Sequence, residues 1–280
     1  MYKKPLTLSI IIPVYNEQSH LKTCLESIAW QTEMPNEVIV VDNNSTDNTV
    51  KIAQSFPFVT LIQEKKQGVL HARNKGFDTA TGDILGRVDA DSILAENWCA
   101  NVRKIFLNGM IGAATGPVVY YDMPFRRAGF KIDKTIRQAI DKFNDDFPYL
   151  FGTNMALKRS VWQKYRNEFC KRKDVHEDLD IGIHLTKHNE HIAYNSKMVV
   201  GMSARRFDNN PKDFYRYISF YKSSFAHHGI ETNTTKFAMA TYIFAYFLLR
   251  PVRLMYDDEK KGFDIRQLFA TRQARKHPMD

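Results

Sequence analysis

Short apolar runs alternate with amphipathic segments along residues 6–88 of the chain. Residues 6–14 form a nearly continuous apolar run around Pro13, which is the pattern of a strand buried on both faces of a parallel sheet. Residues 18–30 then place apolar side chains three and four positions apart, the spacing of one helix face. The pattern predicts strands at residues 6–14, 37–41, 59–63 and 84–88, and helices at residues 18–30, from Ser45 onward and at residues 71–79.

This alternation predicts an α/β, Rossmann-like fold, because strands joined by helical crossovers form a mainly parallel sheet flanked by helices. Ligands bind such sheets outside the carboxyl ends of the strands. The segments in that position are residues 13–17, 42–44 and 89–91.

Beyond residue 97 the periodicity is weaker. Asp174 is interpreted as the N-cap of a helix, with Glu177 completing a capping box. The predicted elements are a helix to residue 107, a strand at 111–121, a polar amphipathic helix at 131–143, a further segment at 149–157, a helix at 174–188 and a strand at 191–201.

The composition is that of a folded protein, with 280 residues of which 44% are hydrophobic and 25% charged. Three widely spaced cysteines without a CxxC pair predict neither a disulfide framework nor a zinc site, and they suit a reducing cytosol. The first residues lack the long apolar region of a secretion signal. The histidines are interpreted as surface or core residues: His71, His176, His184, His227 and His228.

Positive charge is concentrated near the C-terminus. The net charge is +9, and residues 201–280 hold 14 Lys/Arg against 8 Asp/Glu. Within them, the apolar residues 237–249 are too few to cross a bilayer, which needs about 20 residues. Residues 250–253 are expected to end this helix. The helix either packs on the core or lies at a membrane interface, and we prefer peripheral membrane contact through residues 237–253.

Asp89 and Asp91 follow a hydrophobic strand two positions apart, so both carboxylates can converge on one cation. Mg²⁺ and Mn²⁺ prefer oxygen ligands and bridge to substrate phosphates. The alternative is that the segment only makes a turn and caps the next helix.

Four motifs in register resemble family 2 glycosyltransferases of the GT-A fold. They are Ile11-Ile12-Pro13-Val14-Tyr15-Asn16-Glu17, Val40-Val41-Asp42-Asn43-Asn44-Ser45-Thr46-Asp47, Gly68-Val69-Leu70-His71-Ala72-Arg73-Asn74-Lys75-Gly76 and Asp89-Ala90-Asp91. The resemblance covers residues 8–92. It implies that the motif residues of the first half bind a nucleotide sugar, and that Asp91, with Asp89, holds the metal. The implied nucleotide-sugar contacts are Pro13, Val14, Tyr15, Glu17, Asp42, Asn44, Arg73, Asp89 and Ala90.

The chemistry of these groups agrees with the resemblance. A uracil N3–H needs an acceptor such as the Asp42 carboxylate, and ribose hydroxyls can donate to Glu17. The alternatives are that Asp42 and Asp47 are turn and capping residues and that Arg73 is a solvated helix residue.

The second half supplies a candidate catalytic base. His176-Glu177-Asp178-Leu179-Asp180 resembles the family's ED motif, which implies that Asp178 deprotonates an acceptor hydroxyl. Asp180 is the alternative base. Asp178 near the start of the helix is also explained by the helix dipole.

Further contacts are implied by the same resemblance. Gly152 and Asn154 match a segment that lines the donor sugar and the acceptor, and Arg205 and Arg206 stand where relatives keep a motif against the diphosphate. The QxxRW form is absent, which argues against a processive synthase, and either arginine or neither remains open as the phosphate contact.

The sequence therefore predicts an inverting, Mg²⁺- or Mn²⁺-dependent glycosyltransferase that uses a UDP-sugar and a glycan or lipid-linked hydroxyl acceptor, in cell-surface glycan or polysaccharide synthesis. The predicted location is the cytoplasm or the inner face of the membrane, with no nucleic-acid partner. We expect a GT-A domain at residues 1–205, divided into 1–92 and 93–205, and a helical basic region at 206–280. The alternatives are a polyprenyl-phosphate glycosyltransferase and a non-catalytic nucleotide- or nucleic-acid-binding module.

Overall fold

The computed structural model describes residues 5–143, 150–230, 233–258 and 260–266. The strands are β1 (Leu8–Val14), β2 (Glu37–Asp42), β3 (Val59–Gln63), β4 (Ile84–Val88), β5 (Ser92–Leu94), β6 (Ile111–Thr115), β7 (Val118–Tyr120), β8 (Asn154–Lys158), β9 (His191–Tyr194), β10 (Val200–Met202), β11 (Tyr256–Asp257) and β12 (Gly262–Phe263). The helices are α1 (Leu21–Ala29), α2 (Thr49–Gln54), α3 (Val69–Thr79), α4 (Trp98–Phe106), α5 (Arg126–Phe143), α6 (Arg159–Tyr165), α7 (Glu177–Lys187), α8 (Pro211–His227) and α9 (Asn233–Met255).

The predicted α/β fold is confirmed, with a mainly parallel central sheet. Its strands lie in the order β3-β2-β1-β4-β8-β6-β9. β1 is parallel to both β2 and β4, and β8 is antiparallel to its neighbours β4 and β6. Val14 pairs with Asp42 at the ends of their strands. The carboxyl ends of β2, β1 and β4 therefore meet at one edge of the sheet.

The central strand β1 is buried on both faces. Ile10 and Ile12 pack in the core that contains α1, whereas Ile11 packs with Phe77 of α3 on the opposite face. None of these isoleucines is exposed to solvent. Burial of each such side chain contributes about 1.5–3 kcal/mol. The alternation of the strand explains why a continuous apolar run is needed at residues 8–14.

A second sheet has the order β5-β10-β7. β10 runs antiparallel to β5 and parallel to β7. β5 begins one residue after Asp91, so this sheet returns a distant part of the chain to that aspartate. The structure thereby divides the predicted strand 191–201 into β9 and β10, which belong to different sheets, and the predicted strand 111–121 into β6 and β7.

The C-terminal helices α8 and α9 pack on the short 3₁₀ helix Arg205–Asp208 through a cluster that includes Phe207, Phe214 and Tyr246. Arg253 of α9 donates to the Asp122 carbonyl at 2.9 Å. Within the described ranges, no helix combines the length and the apolarity that crossing a membrane requires.

Several predicted helix boundaries were wrong, among them the start of α5 at Arg126 rather than residue 131, and three of them have an identifiable cause. α2 begins at Thr49 rather than Ser45, because the Asp47 carboxylate accepts the Thr49 N–H at 2.9 Å. α7 begins at Glu177 rather than Asp174, since Asp174 forms an ion pair with Arg172 and does not cap the helix.

The third wrong boundary is at the end of α9. The helix continues through Pro251 to Met255 although the sequence predicted a break at residues 250–253. Proline removes one backbone hydrogen bond, and tertiary contacts such as those of Arg253 offset that loss. Residue 149 of the predicted segment 149–157, residues 1–4 and residues 267–280 of the basic region lie outside the described residues.

Candidate active site

Two tight loops at the carboxyl ends of β1 and β2 are held together by side chains. Asn16 and Asn44 have φ angles of 54° and 68°, a left-handed conformation that asparagine tolerates better than most residues. Asn16 Oδ1 accepts the Thr46 N–H at 2.8 Å, and Asp42 Oδ1 accepts the Ser45 N–H at 3.1 Å. These bonds fix the Asp42 carboxylate, which is buried, at the edge of the sheet.

The next loop along this edge, residues 64–68, is attached through two asparagines. Asn44 Nδ2 donates to the Lys65 carbonyl at 2.9 Å. Asn43 Nδ2 donates to the Glu64 carbonyl, and its Oδ1 accepts the Gly68 N–H at 2.7 Å. Asn44 therefore holds a loop in this structure. Asn43, which sequence reasoning did not single out, does the same.

Carboxylates from two strand ends face the buried thiol of Cys24. Burial and the charges of Asp91, Asp89 and Glu17 raise the pKa of Cys24 far above its usual range. Arg205 lies between two of these acids: its Nη2 is 2.7 Å from Glu17 Oε1, and its Nε is 2.8 Å from Asp91 Oδ2. The edge thus holds an excess of negative charge bridged by one guanidinium.

Arg205 reaches Asp91 because of the second sheet. β10 pairs with β5, so the chain that leaves β10 passes Asp91. Asp122 fixes the turn that follows, accepting from the Ser203 hydroxyl and from the Ala204 N–H, each at 2.7 Å. Asp122 was missed by sequence reasoning, since nothing in its neighbourhood along the chain indicated this pairing.

Arg87, at the end of β4, joins the two acidic motifs. Its Nη2 is 3.0 Å from Asp89 Oδ1, and its Nη1 is 2.8 Å from Glu177 Oε1. Burial acts to raise the pKa of Glu177, but the charges of Arg87 and Arg73 outweigh it and the pKa is lowered. Glu177 therefore makes a buried ion pair, and its predicted capping role was wrong. A charged residue inside an apolar strand was the sequence signal for Arg87.

Asp178 stands beside the turn that precedes β8. Its Oδ2 accepts the Gly152 N–H at 2.7 Å, and its Oδ1 accepts the Leu179 N–H at 2.8 Å. Burial, followed by the charge of Glu177, raises the pKa of Asp178 to about 6. The carboxylate is ionised at neutral pH and close to the pKa that suits a general base.

The same turn also contacts Asp89, the first aspartate of the Asp89-Ala90-Asp91 (DxD) motif. The Thr153 hydroxyl donates to Asp89 Oδ2 at 2.8 Å. A Cβ atom on Gly152 would lie 1.7 Å from Arg87 Nη1, so glycine is needed for the close approach of this arginine. The resemblance had implied that Gly152 lines the donor sugar and the acceptor. The turn is thus bonded to Asp89 and to Asp178 at once.

Three predicted ligand contacts are directed elsewhere in this structure. Arg73 is fully buried and donates to the Glu177 carbonyl at 2.9 Å. Asn154 is also fully buried, and its amide bonds to an indole N–H and to backbone carbonyls. The Arg206 guanidinium lies 4.0 Å from the Tyr217 ring centroid. Arg73 and Asn154 therefore support the site from behind, and Arg205 rather than Arg206 reaches its acids.

The remaining predicted contacts lie at the same edge. Val14 and Ala90 are buried, so only their backbone groups are available to a ligand. Pro13 and Tyr15 are half-buried. Their assignment to a nucleotide stays a prediction.

Asp180, the alternative base, belongs to a different cluster. It is buried, its Oδ2 accepts the Cys170 N–H at 2.8 Å, and its Oδ1 is 2.7 Å from His228 Nε2. These contacts favour Asp178 as the carboxylate that faces the turn.

The residues at the edge fit a hard divalent cation. Asp89, Asp91 and Glu17 offer carboxylate oxygens, the donors that Mg²⁺ and Mn²⁺ prefer. The sulfur of Cys24 is a soft donor, which Mg²⁺ and Mn²⁺ do not prefer. Arg205, held between Glu17 and Asp91, shows that these carboxylates already gather around one cation.

An α/β sheet with acidic groups at its carboxyl edge suits a phosphate-bearing ligand held through a divalent cation. Residues 9–166 match the model of the family described as "Glycosyl transferase family 2", which is more than half of the chain. The chain belongs to the family 2 glycosyltransferases, and the resemblance predicted from its motifs is confirmed.

Two relatives carry the name of this class. Glycosyltransferase AglE of Haloferax volcanii is 39% identical over 183 residues, which cover 61% of this chain and 54% of AglE. The uncharacterized glycosyltransferase YibD of Escherichia coli K12 is 42% identical over 88 residues, which cover 30% of this chain and 26% of YibD. The chain thus matches about half or less of the length of these relatives.

Solved structures show the same fold. The mannosyltransferase PcManGT from Pyrobaculum calidifontis in complex with GDP-Man and Mn²⁺ superposes with a TM-score of 0.62 at 21% identity, covering 90% of this chain and 73% of that one. S. aureus TarS 1-349 in complex with UDP-GlcNAc gives 0.53 at 18% identity, covering 88% and 72%.

Proposed function

We propose that the protein is an inverting glycosyltransferase that moves a sugar from a UDP-sugar to an acceptor hydroxyl in cell-surface glycan or polysaccharide synthesis. The contact that carries this proposal is the turn before β8. Its Thr153 hydroxyl bonds to Asp89, and its Gly152 N–H bonds to Asp178. A donor held at the DxD motif and a base at Asp178 would therefore adjoin the same turn.

In the proposed reaction the acceptor oxygen attacks the anomeric carbon from the side opposite the diphosphate. The bond between this carbon and the diphosphate oxygen breaks, its electron pair leaves with the nucleoside diphosphate, and the hydroxyl proton passes to Asp178. One displacement inverts the anomeric configuration. A pKa of about 6 leaves Asp178 ionised at neutral pH, ready to accept the proton.

Mg²⁺ or Mn²⁺ held by Asp91 and Asp89 would offset the negative charge of the departing diphosphate. Arg205 would offset part of the same negative charge. It lies on Asp91 and Glu17, and we propose that its planar guanidinium turns to the diphosphate when donor binds.

The donor base is proposed to be uracil, read by Asp42, with the ribose at Glu17. Guanine also presents N–H donors to a carboxylate, so the experiment compares UDP-, GDP- and TDP-sugars with Mn²⁺ by thermal shift. A ligand that binds the folded state raises Tm. We expect the largest rise with UDP-sugars and its loss in Asp42→Ala. A larger rise with a GDP-sugar would replace the UDP assignment.

A polyprenyl-phosphate acceptor is the alternative, because a phosphate oxygen is already anionic and needs no base. Asp178→Asn distinguishes the two. Loss of turnover with donor binding retained supports a hydroxyl acceptor, and undiminished turnover supports the phosphate.

We propose that the helical basic region predicted at residues 206–280 contacts the inner face of the membrane through residues 237–253. α9 exposes Phe244, Phe247 and Leu248, each by 60% or more, and this part of the chain is basic. Co-sedimentation with anionic vesicles should fall when Phe247 and Leu248 are changed to glutamate, while activity on a soluble acceptor persists. Equal sedimentation of both proteins would contradict the contact.

A further inference from the structure

Four metal-binding side chains meet away from the proposed active-site turn. Cys170 precedes α7, Asp180 and His184 lie on α7, and His228 directly follows α8. Their ligand atoms all lie within 4.8 Å of one another. The spacing of the cysteines predicted no zinc site, and 58 positions separate the first and last members of this group. We propose that these four residues form a zinc site.

Asp180 is buried, and the other three members of the cluster are half-buried. The side chains of Asp180, His228 and His184 are exposed by 1%, 5% and 15%. Among the described residues, His184 Nε2 is buried and makes no hydrogen bond, and it lies 3.7 Å from Asp180 Oδ1. A buried ring nitrogen directed at a carboxylate without bonding to it is an arrangement that a cation between them would complete.

The donor set selects the metal. One thiolate, two imidazoles and one carboxylate suit Zn²⁺, whereas Mg²⁺ and Mn²⁺ prefer oxygen. A thiolate and a carboxylate also neutralise the two charges of Zn²⁺, so the buried site carries no net charge. Four protein ligands leave no open position, which is typical of a structural zinc site.

Small movements bring the ligands to zinc. Tetrahedral ligands stand about 3.3–3.5 Å apart. The 2.7 Å pair between Asp180 Oδ1 and His228 Nε2 must therefore open, and the wider separations must close by about 1 Å. Lys187 Nζ, which is 3.2 Å from His228 Nδ1, must leave when that nitrogen carries the proton. Lys187 is exposed and has room to do so.

The site would tie α7 to α8 and to the segment before α7. Asp178 lies two residues before Asp180 on α7, so zinc would fix the helix that carries the proposed base. This makes the proposed zinc distinct in chemistry and place from the cation at Asp91.

The first test measures metal in the full-length protein. We expect about one zinc per chain by mass spectrometry after dialysis. After chelation, Co²⁺ should restore a thiolate-to-cobalt absorption band in the ultraviolet. Absence of both zinc and the cobalt band in the folded wild-type protein would overturn the proposal without any variant.

Variants locate the ligands. Cys170→Ser should abolish the cobalt band, and His228→Gln should lower zinc content at least tenfold. Asp91→Asn should retain zinc, because it alters only the other cation site. His188→Gln is the matched control, since His188 joins Glu168 and His184 in a second, more exposed group. Zinc lost in His188→Gln but kept in Cys170→Ser would overturn the assignment.

Discussion

Replacement of Asp178 by asparagine separates catalysis from stability. A general base contributes about 10²–10⁴-fold to the rate, so kcat should fall by that factor. Burial and Glu177 raise the Asp178 pKa from 3.8 to about 6. About two units correspond to about 3 kcal/mol of unfavourable charge burial, and to about 2 kcal/mol after allowance for the partial exposure of this side chain. Asparagine removes that charge.

The substitution also removes one hydrogen-bond acceptor. Asparagine offers one acceptor oxygen to the two N–H groups of Gly152 and Leu179, and one unsatisfied donor costs about 1–2 kcal/mol. The two effects nearly cancel at neutral pH. Because the folded-state pKa is raised, the charge penalty is absent below about pH 4, develops as the pH rises to about 6 and is constant above it.

We therefore expect Asp178→Asn to unfold within about 3 °C of wild type at pH 7 while turnover is lost. Calorimetry and a donor-dependent product assay measure the two effects. Asp180→Asn in the chelator-treated protein is the control: it removes a buried hydrogen-bonded carboxylate and should lower the free energy of unfolding by about 1–3 kcal/mol. Two results would refute this reasoning: turnover of Asp178→Asn within tenfold of wild type, or a fall of more than about 3 kcal/mol in its free energy of unfolding.

Further predictions concern the groups around this base. The rate should fall about tenfold per pH unit below pH 6, as Asp178 becomes protonated. A pH–rate profile from stopped assays whose decline begins only near pH 4 would contradict that. Arg87→Ala should lower the free energy of unfolding by about 3–5 kcal/mol in urea titrations, since it leaves buried carboxylates without their cation; a loss below 1 kcal/mol would count against it. Arg205→Ala should raise the donor KM about tenfold and tighten Mn²⁺ binding to Asp91 in calorimetric titrations. Arg206→Ala should leave both unchanged, and equal effects of the two variants would sink the distinction.

The part of the fold that depends on local pattern was accessible from sequence. The run at residues 8–14 must be buried on both faces, and the helices that follow present one apolar side, so the parallel sheet and the position of Asp42, Asp89 and Asp91 at its carboxyl edge could be predicted. The helix starts were harder to predict, because they depend on the contacts of Asp47 and Asp174, which sequence spacing alone does not specify.

Long-range pairing could not be read from the chain. Arg205 meets Asp91 across 114 positions only because β10 pairs with β5, and Arg87 meets Glu177 only because α7 begins beside the end of β4. The motifs predict Asn154 and Arg73 as ligand contacts, yet both side chains are fully buried and bond to other parts of the protein. The sequence by itself determined the elements of residues 8–88 and the edge that carries the acids, since periodicity and strand ends are local. Tertiary structure decided which charge faces which, because that depends on the packing of segments far apart along the chain.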